Sequence, residues 1–202
     1  MIKRLLLLSL VSILAACAKN PPLPSSADDT LPKYQSQLEQ LADVSNWEIK
    51  GRISIQTTEE AFSASFKWRR LIDYQRIEIT GMLGQQYAIL EITPDESLLT
   101  VQDREPVVAK DIDELMWSQV GFTIPVALLT DWIKALPNES TQQSIRINEE
   151  GMIREMSFQN WSVTYKKYKV YPDYGNLLLP SRTTVTNDRE TIKLAIKTWQ
   201  PL

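Results

Sequence analysis

The chain has 202 residues, 43% of them hydrophobic, enough for one domain with a real core. Its 22 basic and 25 acidic residues give a net charge of -3 at pH 7, and this mildly acidic balance gives no support to nucleic-acid binding, whose affinity rests on neutralising phosphates. There is no histidine, which excludes His-dependent triads and His-ligated metals, and a single cysteine excludes an internal disulfide.

Residues 1–16 begin with Lys3 and Arg4 and continue as the apolar run Leu5 to Ala16. A positive start, an apolar stretch too short to span a bilayer and small residues before a cut site define a secretory signal peptide. Leu14-Ala15-Ala16-Cys17 resembles the bacterial lipobox, which makes Cys17 the lipidated first residue of the mature protein. In such lipoproteins an Asp after the cysteine commonly retains the protein in the inner membrane. Ala18 and Lys19 follow here, which implies the outer membrane. Residues 17–32 are rich in Pro, Ser and Asp and are expected to be a tether.

A single domain is expected over 33–202. Tyr34, Leu38, Leu41 and Ala42 or Val44 have helical spacing, so Lys33 to Val44 reads as a short amphipathic helix. From Trp47 to Ile92 the period becomes two. Ile49, Ile53 and Ile55 share one face, Phe62, Ala64, Phe66 and Trp68 the next, and Ile77, Ile79, Ala88, Leu90 and Ile92 continue it. This is an antiparallel meander with one apolar face. The turn Gly81-Met82-Leu83-Gly84 has glycines for a tight reversal but carries Met82 and Leu83 at its tip. Either these fold back under the sheet, or they project outward to meet lipid or protein.

Leu98 to Val101 and Pro106 to Ala109 read as another strand pair. A helical insert follows at 111–137. Asp111 and Glu114 suit a helix start, Gly121 ends that helix, and Pro125 opens a second that Pro137-Asn138 stops. The two-residue period returns from Ser144 to Trp199. The fold class is mainly β: ten or eleven strands are too many for a flat sheet of this size, so an unclosed antiparallel β-barrel with an α-helical lid is expected.

Catalytic constellations are missing. Glu59-Glu60 and Glu149-Glu150 lie in predicted turns, and no nucleophile elbow, phosphate loop or metal-ligand cluster appears, so neither catalysis nor a cofactor is expected. Tyr165, Tyr168, Tyr171 and Tyr174 alternate with lysines in a way that suggests base stacking, but a strand edge and its loop explain them more simply.

Ile124-Pro125, Leu129, Trp132-Ile133 and Leu136-Pro137 resemble the signature of the LolB family of outer-membrane lipoprotein receptors. Trp47 with Gly51-Arg52, Phe66 with Trp68, Leu83-Gly84, Pro180, Ile192-Lys193-Leu194 and Trp199 match in the same order. The resemblance implies an unclosed β-barrel around a hydrophobic cavity. It implies a monomer that accepts acylated lipoprotein cargo from a LolA-type periplasmic carrier and places it in outer-membrane lipid. It also implies that Leu83 is the apolar loop residue used in delivery, which favours the outward reading of Gly81, Met82, Leu83 and Gly84. Two positions depart from the pattern: Met82 stands where Pro is common, and Ala135 where Gly can stand.

Phe66, Trp68, Leu90, Trp117, Leu129, Trp132, Ile133 and Phe158, with Ile53, Ile77 and Leu128, are the residues expected to line that cavity. The same residues also suit an ordinary core. Lys50, Arg52, Lys67, Arg69 and Arg70 suit either an acidic carrier surface or a solvated strand face. A lipoprotein holding a free lipid and a purely structural envelope lipoprotein are the other readings.

Overall fold

The computed structural model describes residues 27–81, 83–120, 125–137 and 143–202. The leader, Cys17, the tether as far as Ser26, Met82 and Gly121 lie outside them. Among the described residues eleven strands form one antiparallel sheet. Helix α1 (Ala27–Ala42) leads into β1 (Trp47–Gln56), β2 (Ala61–Leu71), β3 (Tyr74–Thr80), β4 (Gln86–Ile92), β5 (Ser97–Val101) and β6 (Val107–Ala109). Helices α2 (Ile112–Val120) and α3 (Val126–Trp132) interrupt the sheet. It resumes with β7 (Ser144–Ile147), β8 (Ile153–Phe158), β9 (Trp161–Tyr171), β10 (Leu177–Thr186) and β11 (Thr191–Pro201). The order is β6-β5-β4-β3-β2-β1-β11-β10-β9-β8-β7, so the short strands β6 and β7 are unjoined edges and the barrel is not closed.

Alternation decides which way each strand faces. On β1, Ile49, Ile53 and Ile55 are buried while Lys50 and Arg52 are exposed. Gly51 takes an inward position and leaves room there. A Cβ at Gly51 would lie 2.9 Å from Phe66 Cε1 and 2.3 Å from the Ala195 carbonyl oxygen. The register of β1 against β11 slips at that point, with Lys197 as the extra residue.

The sheet has two unlike ends. Where β1 begins, Trp47 is fully buried, with its ring 5.2 Å from Trp68 and 5.3 Å from Trp199. Helix α1 closes this end. Its Gln37 side-chain amide donates to the Leu178 carbonyl at 2.6 Å, and its first turns lie against Gly151 of the β7–β8 turn.

Helix α1 starts at Ala27, six positions before the expected Lys33, so it takes in the end of the stretch whose composition suggests a tether. Asp28 and Asp29 favour a helix N-terminus through the macrodipole. Pro32 removes only one backbone donor there, and Thr30 is buried against the β7–β8 turn.

Candidate functional site

At the other end, where β1 turns into β2, the sheet's inner face stays uncovered over β1–β5. An open cavity of about 600 Å³ lies there, roofed by α2 and α3. The register explains its walls. Trp68, Ile77, Leu90 and Leu99 are successive cross-strand partners, and so are Phe66, Ile79, Ala88 and Val101. These two inward rows are apolar along their whole length. From the roof, Met116 of α2 and Val126 and Leu129 of α3 complete the lining. Polar atoms gather at the rim, from Glu60, Gln102, Asp103, Arg104 and Gln119.

Two contacts hold the roof. The Arg104 guanidinium donates to the Gln119 carbonyl at the end of α2 at 3.3 Å. The Gln75 side-chain oxygen accepts both the Trp68 indole N–H and the Thr130 hydroxyl of α3, each at 3.2 Å.

Beyond α3 the chain ends the helix with two paired bonds. Ala135 N–H donates to Trp132 O at 3.0 Å, and Leu136 N–H donates to Asp131 O at 3.1 Å. This is the Schellman pattern, and Ala135 occupies its left-handed position with φ 59°. A glycine there would take this conformation without steric cost. Next to it, Lys134 is buried and donates to the Val44 carbonyl at 3.2 Å, which ties the roof to the end of α1. Burial lowers the Lys134 pKa, and Asp131 opposes that shift.

Of the residues expected to line the cavity, Phe66, Trp68, Leu90 and Leu129 do so, with Ile53 and Ile77. Five take other places. Leu128 is half-buried on α3, packed against the core and outside the lining. Trp117 is 55% exposed, because α2 turns Met116 and Gln119 inward and leaves Trp117 about 100° round the helix. Trp132 and Ile133 lie one turn beyond Leu129 and are packed in the core of the closed end, where the Tyr165 hydroxyl donates to the Trp132 carbonyl at 2.6 Å. Phe158 is half-buried on β8, in the arm of the sheet that does not reach the cavity. Ile55, Phe62, Tyr87, Leu99 and Val101 were missed. Their signal was the alternation itself, carried to the strand ends.

The β3–β4 turn stands beside the cavity rim. Gly84 has φ 86°, and Gly81 N–H donates to the Gln85 carbonyl at 2.8 Å. The Gln85 side chain folds under the loop, accepting the Leu83 N–H at 3.2 Å and donating to the Tyr87 hydroxyl at 2.9 Å. Tyr87 in turn rests on Phe62, with ring centroids 5.8 Å apart. Leu83 itself is 94% exposed. Among the described residues, no three His, Cys, Asp or Glu side chains come together as a metal site.

A profile described as outer membrane lipoprotein LolB matches residues 45–199, most of the chain. The chain belongs to the LolB family. It is 28% identical over 202 residues to an outer-membrane lipoprotein LolB of Ectopseudomonas mendocina, covering all of this chain and 98% of the relative. It is 29% identical over 171 residues to that of Cellvibrio japonicus, covering 84% of each. A solved structure of a LolA superfamily protein from Nitrosomonas europaea has the same fold, with a TM-score of 0.54 at 8% identity over 84% of this chain and 93% of that one. The LolB family consists of lipoprotein localisation receptors, not enzymes.

Proposed function

We propose that the protein is held in the outer membrane by lipid on Cys17, faces the periplasm, and accepts acylated lipoproteins from a LolA-type carrier as a monomer. The cavity under α2 and α3 then holds the acyl chains, with Phe66, Trp68, Leu90 and Leu129 among its contacts. The observation that carries this reading is the cavity: about 600 Å³, open at one end and walled by two apolar rows. That volume falls within the roughly 300–1,000 Å³ of small-molecule sites. Acyl chains cost about 0.8 kcal/mol per methylene to leave in water, so a receiving site must be dry and ready-made. Transfer needs no nucleotide if each successive site binds the chains better than the last.

The turn of Gly81, Met82, Leu83 and Gly84 serves release. Leu83 enters the leaflet and opens a path from the neighbouring cavity rim. Burying one leucine gives about 1.5–3 kcal/mol, too little to anchor the domain but enough to orient it. The test mixes the anchor-free chain from Ala27 onward with a carrier holding a labelled lipoprotein. Movement of the label before any membrane is added supports the receptor. A folded domain that takes up free fatty acid but no lipoprotein from a matched carrier would favour a lipid-binding protein.

A further inference from the structure

The outer face of the sheet is divided by charge. On β1–β4 the outward cations other than Arg52 are neutralised: Lys50 and Arg69 contact Glu48 at 2.9 Å each, Lys67 contacts Glu78 at 3.0 Å, and Arg76 contacts Glu91 at 2.8 Å. On the next strands they are not. Strands β9, β10 and β11 contain no acidic residue, yet they carry Lys166, Lys167, Lys169, Arg182, Lys193 and Lys197, all exposed. Arg52 of β1 adjoins them. None of these seven forms an ion pair among the described residues. Lys167 and Arg182 are direct cross-strand partners, an arrangement that like charges disfavour. The chain as a whole has 22 basic and 25 acidic residues, so the other residues amount to 15 basic against 25 acidic.

We infer that this wall is a docking surface for an anionic phospholipid bilayer. The outward positions between the cations hold Thr164, Thr184, Ala195 and Ser54, which offer no aromatic or methionine anchor for a protein partner. Five of the seven cations are lysines, the type that protein interfaces deplete. A field without shaped pockets suits mobile headgroups, which need charge and not complementarity of shape. The sheet also joins the wall to the apolar tip. Lys167, Arg182, Ala195, Arg52, Ser65 and Thr80 are successive register partners across six strands, and Thr80 immediately precedes the loop of Leu83. Arg52 and Thr80 are two strand spacings apart, about 10 Å along the sheet. Headgroup contact on the wall and entry of the tip into the leaflet are therefore compatible in one pose. The inference needs a nearby membrane but not an acyl-binding cavity.

The full-length protein is incubated with vesicles of phosphatidylcholine, or of phosphatidylcholine with about one-third phosphatidylglycerol. Flotation then reports binding, and acetylation followed by mass spectrometry reports the reactivity of each lysine. The wall predicts that Lys167, Lys193 and Lys197 react about threefold or more slowly on the anionic vesicles, recover at high salt, and leave Lys110 unchanged. Binding to both vesicles with equal lysine reactivity overturns the wall and leaves the anchor standing. Binding to anionic vesicles alone, abolished by Arg182→Gln with Lys193→Gln, supports the wall and overturns the anchor. Binding to neither overturns both. Protection that appears only when an acidic protein is added assigns the wall to a protein partner and also overturns the inference.

Discussion

The two ends of this sheet are built from the same alternating strands and do opposite things with their inward side chains. At the closed end, Trp47, Trp68, Trp199 and Tyr171 meet ring to ring, and α1 packs nearby through Gln37 on Leu178 and its first turns on the β7–β8 turn. At the open end, Phe62, Ile79, Tyr87, Ala88 and Val101 face a space that no protein atoms fill. Inward apolar residues therefore do not by themselves make a core. They make one only where a second layer comes down on them. Here α1 and the end of α3 reach one end, while α2 and the start of α3 arch over the other. Stability should accordingly reside at the closed end, and exchange of ligand at the open one.

The largest test of that division is Trp47→Ala. Trp47 is fully buried and joins two other tryptophans, so its loss should cost about 3–5 kcal/mol in urea unfolding. A cavity-wall truncation, Leu90→Ala, should fall at or below the lower end of the roughly 2–5 kcal/mol usual for core leucines, because it enlarges a space already present. Equal costs for the two would break the comparison.

Next comes Tyr165→Phe. The Tyr165 hydroxyl donates to the buried Trp132 carbonyl, which keeps the Ala135 N–H when the hydroxyl is removed, so the loss should be that of one hydrogen bond, about 0.5–1.5 kcal/mol. The same hydroxyl contributes to the alkaline limit. Burial pushes the Tyr165 pKa well above its ordinary value, aided by Tyr168 and Asp131, and burial chiefly pushes Tyr174 up to about 12. A folded-state pKa above the unfolded one gives stability that is fully present below the unfolded value, about 10. It is lost as pH rises from there through the folded values. The wild-type melting temperature should thus fall steeply above about pH 10, and the fall should be shallower in Tyr165→Phe. Parallel curves would remove Tyr165 from the alkaline transition.

The sequence made the sheet easy to read and the cavity hard. The strands from Trp47 to Ile92 declare themselves because every second residue is apolar, and the register follows from short turns. Helix identity was equally plain over 112–120 and 126–132. What periodicity cannot say is how far a helix is rotated or how low it lies. Trp117 belongs to the same broad apolar face as Met116, and only the packed structure shows that α2 turns one inward and the other out. Trp132 and Ile133 likewise look like lid residues until the Schellman turn delivers them to the closed end. The start of α1 was hidden for another reason. Pro32 and the acidic residues before it resemble linker composition, and tertiary contact with the β7–β8 turn decides the matter.

A smaller effect of opposite sign is expected at the junction between the two ends. Ala135 holds φ 59°, and a non-glycine residue in the left-handed region costs about 1–2 kcal/mol. Ala135→Gly removes that strain but also a buried methyl group, worth about 0.8 kcal/mol. The net should be a stabilisation of about 0.2–1.2 kcal/mol, seen as a higher urea midpoint with an unchanged slope. A destabilised variant would mean that the methyl outweighs the strain.

The smallest effect on stability, and the most informative about function, belongs to Leu83→Glu. Leu83 is 94% exposed, so folding should change by no more than about 0.5 kcal/mol. The cavity walls are untouched, and acceptance of cargo from a carrier should keep its wild-type rate. Release into vesicles should slow by roughly tenfold or more, since a carboxylate replaces the apolar group that gains about 1.5–3 kcal/mol in the leaflet. A single variant thus separates two steps that one end of the sheet performs with different residues. If acceptance fails along with release, the tip and the cavity act as one element, as the path from Leu83 through Gln85 to Tyr87 would permit. If neither step changes, the exposed leucine has no part in transfer and the open end works through its cavity alone.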